Sequence, residues 1–143
     1  MQETQNSNHK RQNNDQQINA KFQNKNRPYD LRERLLVFTR RILLICRMLQ
    51  KNQECENIRK QLSRAASSIG ANFEEADGSV TKKDFICKAS ISRKEAKETR
   101  YWLRVISGVF VKEELLIGDI QEIDEIISIL SAILIKVGAK SKR

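Results

Sequence analysis

Residues 31–49 read LRERLLVFTRRILLICRML. Leu31, Leu35, Phe38, Ile42, Ile45 and Leu49 recur with alternating steps of four and three. That spacing puts all six side chains on one face of an α-helix; a strand would alternate every second residue. Val37, Leu44 and Met48 form a second apolar stripe, set apart from the first by Arg34 and Arg41. Just upstream, Pro28 disfavours a helical Arg27, and Asp30 is a good N-cap with Glu33 three residues on. The helix is therefore predicted to start at about Leu31.

Working outward, the same pattern returns three times. Lys51-Asn52-Gln53 is a polar break. A second helix is predicted from about Glu54 to Asp77, with Ile58, Leu62, Ala65, Ile69, Asn72 (with Phe73) and Ala76 on its seam and Gly78 closing it. Thr81 caps a third helix, with Asp84 three residues on. This helix is predicted from about Lys82 to Phe110, on a seam of Phe85, Ala89, Ser92, Ala96, Thr99, Leu103, Ile106 and Phe110. The small residues in its middle allow another helix to approach closely. Lys112-Glu113-Glu114 is read as the start of a connection reaching Gly118. Asp119, with Glu122 three residues on, then caps a fourth helix whose seam is Ile120, Ile123, Ile127, Leu130, Leu134 and Val137, closed by Gly138. Long helices on short links become antiparallel neighbours, so an all-α, up-down-up-down four-helix bundle is predicted over residues 29–138. The first and fourth helices are apolar beyond one seam, which suits a subunit interface.

The flanks differ in composition. The first 26 residues are rich in Gln and Asn, with Ile18 and Phe22 the only large apolar residues after Met1. Such a segment buries too little to offset its ordering entropy, so residues 1–28 are predicted to form a disordered tail. Residues 139–143 are predicted to be a short basic tail. In 143 residues the hydrophobic fraction is only 39%, and five Gly with one Pro are too few turn residues for an all-β fold. The longest uncharged apolar stretch, residues 126–135, is half the length of about 20 that a membrane span needs. No apolar signal region follows Met1, so a cytoplasmic protein is expected.

Composition also bounds the chemistry. The one His is His9, in the tail. The predicted bundle thus lacks a His base, and no nucleophile–base pair or phosphate loop is present. Three widely spaced Cys with no CxxC argue against a disulfide framework or structural zinc; Cys46, Cys55 and Cys87 are expected to be structural thiols. No catalytic residue, metal or cofactor is assigned. A metal site from Glu75, Glu95 and Glu98 is the remote alternative, because di-metal bundles add Glu-x-x-His.

The net charge is +9. Between Val80 and Val111 eight bases stand against three acids, a balance of +5 in one helix. On a wheel of about 100° per residue, seven of the eight lie on one side, between about 60° and 180° from Phe85. They are Lys82, Lys83, Arg93, Lys94, Lys97, Arg100 and Arg104. Tyr101 falls among them and is placed to stack on a base. Such a face is what a reader of phosphate backbones presents, and also what a solvated helix surface presents. A second group, Ser68, Asn72, Glu75 and Glu98, is expected to form a polar network fixing the register of helices two and three, with Arg64 available to pair with a carboxylate. Trp102, next to Tyr101, points another way and is expected in the core or a subunit interface.

Ser67-Ser68-Ile69-Gly70-Ala71-Asn72-Phe73-Glu74-Glu75-Ala76 resembles the SxxxNxxE core of the 23S rRNA intervening-sequence proteins, also known as four-helix-bundle or ribosomal-protein-like proteins. Residues 83–88 (KDFICK) and 94–103 (KEAKETRYWL) are similar to that family's third helix, and Tyr29-Asp30-Leu31 to its entry into the first. The likeness covers about Tyr29 to Lys136. Ala76 stands where many members have Gly, Lys94-Glu95 where some subfamilies have Gly-Ser, and the Gln/Asn-rich tail is not a family feature. The resemblance implies a bacterial, non-enzymatic four-helix bundle that assembles as a homopentamer. It also implies RNA association, since related proteins are accessory factors of diversity-generating reverse transcriptases and bind polymerase and RNA. The expectation is thus an RNA-associated accessory or scaffold protein touching phosphates through the third helix. The alternative is a protein-binding adaptor, docking on an acidic partner such as a reverse transcriptase subunit.

Overall fold

A computed structural model describes residues 30–140, with side chains to residue 138. The expected tail of residues 1–28 lies outside the described residues, as do residues 141–143. The described residues form four helices: α1 (Leu31–Met48), α2 (Gln53–Asp77), α3 (Lys82–Ile106) and α4 (Glu113–Lys140). No strand occurs among them; Ser107 and Val111 form an isolated bridge.

Three helix starts follow from their caps. Asp30 accepts from the Arg32 N–H at 3.0 Å, Asn52 from Cys55 at 2.8 Å, and Thr81 from Asp84 at 3.1 Å. Each satisfies a backbone donor that the first turn leaves open. At the end of α1 the open groups are carbonyls, and a side chain from α2 takes them. The Arg59 guanidinium donates to the carbonyls of Cys46, Leu49 and Gln50 at 3.1, 2.9 and 3.2 Å.

The expected boundaries fail around α3 and α4. α3 ends at Ile106, not Phe110. Gly108 adopts φ +75°, a left-handed conformation suited to a residue without Cβ, and donates to the Val111 carbonyl at 2.8 Å. Phe110 therefore sits in a turn. α4 starts at Glu113, so the expected connection to Gly118 is helical. Glu113 and Glu114 occupy its first turn, where acids complement the exposed N–H groups. Asp119 is consequently no cap. It is a buried side chain in the second turn, paired with Arg41 of α1. Gly138 closes nothing, as α4 continues to Lys140.

Cross-helix pairs give the directions. Arg32, at the start of α1, reaches Asp77 at the end of α2 (2.9 Å), while the end of α1 meets Arg59 near the start of α2. Lys88 pairs with Glu75, whereas Glu95 and Glu98, further along α3, pair with the earlier Arg64 of α2. Arg34 meets Glu122 and Glu125, and Arg41 the earlier Asp119. Each set runs in opposite senses on its two helices, as an up-down-up-down bundle requires. The core between them holds Leu35, Phe38, Ile42 and Ile45 of α1 with Leu62 and Ile69 of α2. α3 contributes Leu103 and Ile106, and α4 contributes Leu116, Ile123, Ile126 and Leu130.

Two substitutions test these assignments. Arg59→Met keeps the aliphatic stem but leaves the α1 carbonyls without their charged donor, so urea unfolding is expected to show a loss of about 2 kcal/mol. Gly118→Ala adds a Cβ that meets nothing within 4 Å. Because this segment is helical, the change is expected to raise stability by up to about 1 kcal/mol, read as a higher urea midpoint.

Candidate nucleic-acid interface

The buried side of α3 is Ala89, Ser92, Ala96, Thr99, Leu103 and Ile106. Ser92 is fully buried, and its hydroxyl donates to the Ile69 carbonyl of α2 at 2.7 Å. The small side chains permit this approach, and the hydrogen bond fixes how α3 is rotated about its axis. Everything else on α3 is placed by that rotation.

The side towards α2 collects the acids. The Arg64 guanidinium donates to Glu95 at 3.2 Å and to Glu98 at 2.6 Å. The Trp102 indole N–H donates to the same Glu98 oxygen at 3.3 Å. Hydrogen bonding from Arg64 holds the Glu98 carboxyl below its ordinary value of 4.5, against an opposing effect of burial. Asp84, the remaining acid of α3, is exposed in the first turn.

The opposite side carries the bases. Lys82, Lys83, Lys94, Lys97 and Arg104 are exposed, and Arg93 is half-buried. None of these six makes an ion pair among the described residues. Arg100 is different: its guanidinium donates to Asp124 of α4 at 3.0 Å, so it is paired at the edge of the face. Tyr101 is 59% exposed among the free cations. Sequence periodicity placed all these residues on one side; it could not show that Arg100 has an acidic neighbour on another helix.

The polar network took a different form. Ser68, Asn72, Glu75 and Glu98 do not join as one unit. Asn72 is half-buried and donates to the Ser68 carbonyl of its own helix at 2.8 Å. Glu75 is exposed and pairs with Lys88, raising the lysine's affinity for its proton. Glu98 belongs with Arg64, Glu95 and Trp102. Register between α2 and α3 is thus held by Arg64, by the Lys88–Glu75 pair and by Ser92. Ser92 lay in the predicted seam as a small residue, and its hydroxyl was the signal to follow. No group of three potential metal ligands occurs among the described residues. Cys46 and Cys55 are buried and Cys87 is exposed; burial raises the Cys46 thiol above its ordinary pKa. A shallow depression at the α1–α2 corner is lined by Arg47, Leu49 and Arg59 among others, and by none of the α3 bases.

α1 and α4 also meet through charges. Arg34 donates to Glu122 and Glu125, and Arg41 to both Asp119 oxygens at 3.0 and 3.3 Å. Burial pushes the Asp119 carboxyl above its ordinary value of 3.8, although Arg41 pulls the other way.

The fold is an all-helical bundle, and its charge is sorted into a paired α2–α3 seam and an unpaired basic face. Residues 29–132 match the 23S rRNA-intervening sequence protein family, and the chain belongs to that family. The matched segment starts one residue before the Asp30 cap. A crystal structure of a protein of unknown function from the S23 ribosomal protein family of Bacteroides thetaiotaomicron VPI-5482 is similar at 33% identity and a TM-score of 0.68. The alignment covers 73% of this chain and 98% of that one. Comparison with curated proteins gives no match. No described helix is long and apolar enough to cross a membrane.

The two shifted carboxyls predict opposite pH effects. Glu98 binds its proton less readily when folded, so its contribution is present above 4.5 and lost as pH falls through its lower folded value. Asp119 binds its proton more readily when folded, so its contribution falls as pH rises through the interval above 3.8. Urea midpoints should therefore show Glu98→Gln costing most near about pH 7 and progressively less as pH falls below 4.5. Over the same rise in pH, Asp119→Asn should gain on the parent protein.

Proposed function

We propose that the protein is a non-catalytic, cytoplasmic, RNA-associated accessory or scaffold protein that touches phosphates through the basic face of α3. The observation that carries this reading is the set of six cations (Lys82, Lys83, Arg93, Lys94, Lys97 and Arg104) on one side of one helix, without ion-pair partners among the described residues. A protein reduces like-charge repulsion by interspersing acids. Here Glu95 and Glu98 are turned towards α2, which leaves the field of the bases directed outward. The name of the family points to the same class of partner. Backbone contacts of this kind give affinity without reading base sequence.

Self-assembly, with a homopentamer favoured, is part of the proposal. Leu36, Leu43 and Met48 of α1 and Leu115, Ile117 and Ile135 of α4 are each more than 40% exposed, which supports burial against further copies. A ring would repeat the basic face in every subunit, and weak phosphate contacts would add by avidity. A second reading, docking on an acidic protein such as a polymerase subunit, is favoured by α1. There Arg40 and Arg47, exposed and without ion-pair partners among the described residues, share one stripe with Leu36 and Leu43.

RNA binding measured against salt tests the proposal. Binding is expected to weaken steeply as salt rises. A variant with Lys94→Glu, Lys97→Glu and Arg104→Glu should reduce the log–log slope by about two or more, since each phosphate contact on a single strand contributes roughly 0.7. Light scattering should give the same oligomer for both proteins. Equal RNA binding by parent and variant would remove α3 from the interface, and binding only to an acidic protein would favour the second reading.

A further inference from the structure

Tyr101 has surroundings that the basic face alone does not account for. Its ring stands edge-to-face against Trp102, with centroids 5.1 Å apart and planes at 71°. Trp102 is itself held. It is half-buried, packs on the hydrophobic core and donates its indole N–H to Glu98, which Arg64 fixes from α2. The tyrosine ring is thus braced by a fixed neighbour while 59% of the residue stays exposed. Lys97 precedes it by four positions and Arg104 follows by three, so both are its neighbours on the helix surface; Lys94 lies one turn further along the same stripe. All three cations are exposed and make no close ion pair among the described residues, although Lys94 lies one turn before Glu98 and acts on it through space.

We propose that Tyr101 is a stacking platform for an unpaired base, and that the α3 face consequently prefers single-stranded RNA to duplex. This rests on the phosphate-contact reading above and adds to it the class of RNA. Phosphates alone would not discriminate, because a duplex offers at least as high a charge density. An A-form duplex, however, keeps its bases stacked within the helix and presents no base face to a side chain, whereas a single strand can turn a base out onto an aromatic ring. Flanking cations at Lys94, Lys97 and Arg104 would hold the backbone on either side of that base. A braced ring loses little conformational freedom when a base settles on it, which favours stacking over contact by a freely rotating side chain. An acidic protein surface would satisfy the cations but gives the ring no comparable role.

The test uses the full chain and two fluorescently labelled probes: an unstructured oligouridylate and a blunt RNA duplex of equal length. Binding is followed by anisotropy for the parent protein, Tyr101→Ala, Tyr101→Phe and Lys97→Glu. Circular dichroism and light scattering confirm that fold and oligomer are unchanged. Tyr101→Ala is expected to weaken single-strand binding about tenfold, the scale of one stacked base, and to leave duplex binding unchanged. Tyr101→Phe keeps the ring and should bind as the parent does. Lys97→Glu should weaken both probes. Parent-like single-strand binding by Tyr101→Ala, or equal losses on both probes, overturns the platform and leaves the phosphate face standing. No binding of either probe by the parent at low salt overturns both readings.

Discussion

The rotation of α3 about its own axis is the constraint on which the surface depends. It is set by a contact that only small side chains allow. Ala89, Ser92 and Ala96 are buried together, and the Ser92 hydroxyl reaches a backbone carbonyl of α2 at 2.7 Å. A buried hydroxyl without that acceptor would cost about 1–3 kcal/mol, so the rotation is specified by chemistry as well as by shape. Once it is fixed, the acids of the helix body face α2 and are engaged by Arg64, and six of the eight bases face away, Lys88 pairing with α2 and Arg100 with α4. A rotation of one residue position, about 100°, in either sense would carry the acids or the bases of α3 into the apolar core. The charge pattern of α3 has meaning only at the rotation that Ser92 enforces.

The α1–α4 seam is closed differently. α1 and α4 join through long side chains, with Arg34 spanning to Glu122 and Glu125 and Arg41 to Asp119. An arginine fork matches a carboxylate edge in two parallel hydrogen bonds, so these pairs specify geometry as well as attraction. Asp119 is the costly member, since burial works against its charge even beside Arg41. Such a pair adds little to stability compared with apolar packing, yet removing one partner strands the other. Its role is to set the register of α4 against α1, which few apolar contacts between those helices would otherwise define.

The seams of α1, α2 and α3 were legible in the sequence because their apolar periodicity is long and each start carries a side-chain cap. Asp30 and Thr81 were readable from residue type and spacing alone. The start of α4 was misread for a physical reason. Asp119 followed by Glu122 has the local form of a cap, and Gly118 before it has the form of a loop. Tertiary pairing with Arg41 overrides that local form. The better signal was Glu113-Glu114, two acids placed where a helix start favours them. The basic face was legible because it is a property of one helix. The Arg100–Asp124 pair and the regrouping of Glu75 and Glu98 were not, because each depends on which helices become neighbours and at what height.

Charge sorting of this kind has a thermodynamic consequence. Six like charges on one face of a helix repel one another, and the repulsion is greatest at low ionic strength, where screening extends over about 30 Å at 0.01 M. A solvated surface chosen only for solubility would intersperse both signs, and this chain has the acids to do so, with 18 Asp and Glu in total. Instead Glu95 and Glu98 of α3 sit at the α2–α3 seam with Arg64, and Asp119, Glu122 and Glu125 sit at the α1–α4 seam. Under the proposed phosphate contacts, a polyanion on this face would relieve that repulsion. A ligand that binds only the folded protein stabilises it in proportion to the logarithm of its concentration over the dissociation constant. The same electrostatics that destabilise the free protein at low salt would strengthen binding there. Stability and affinity are then two readings of one field, and the side chains that generate it all lie on the outward face of α3.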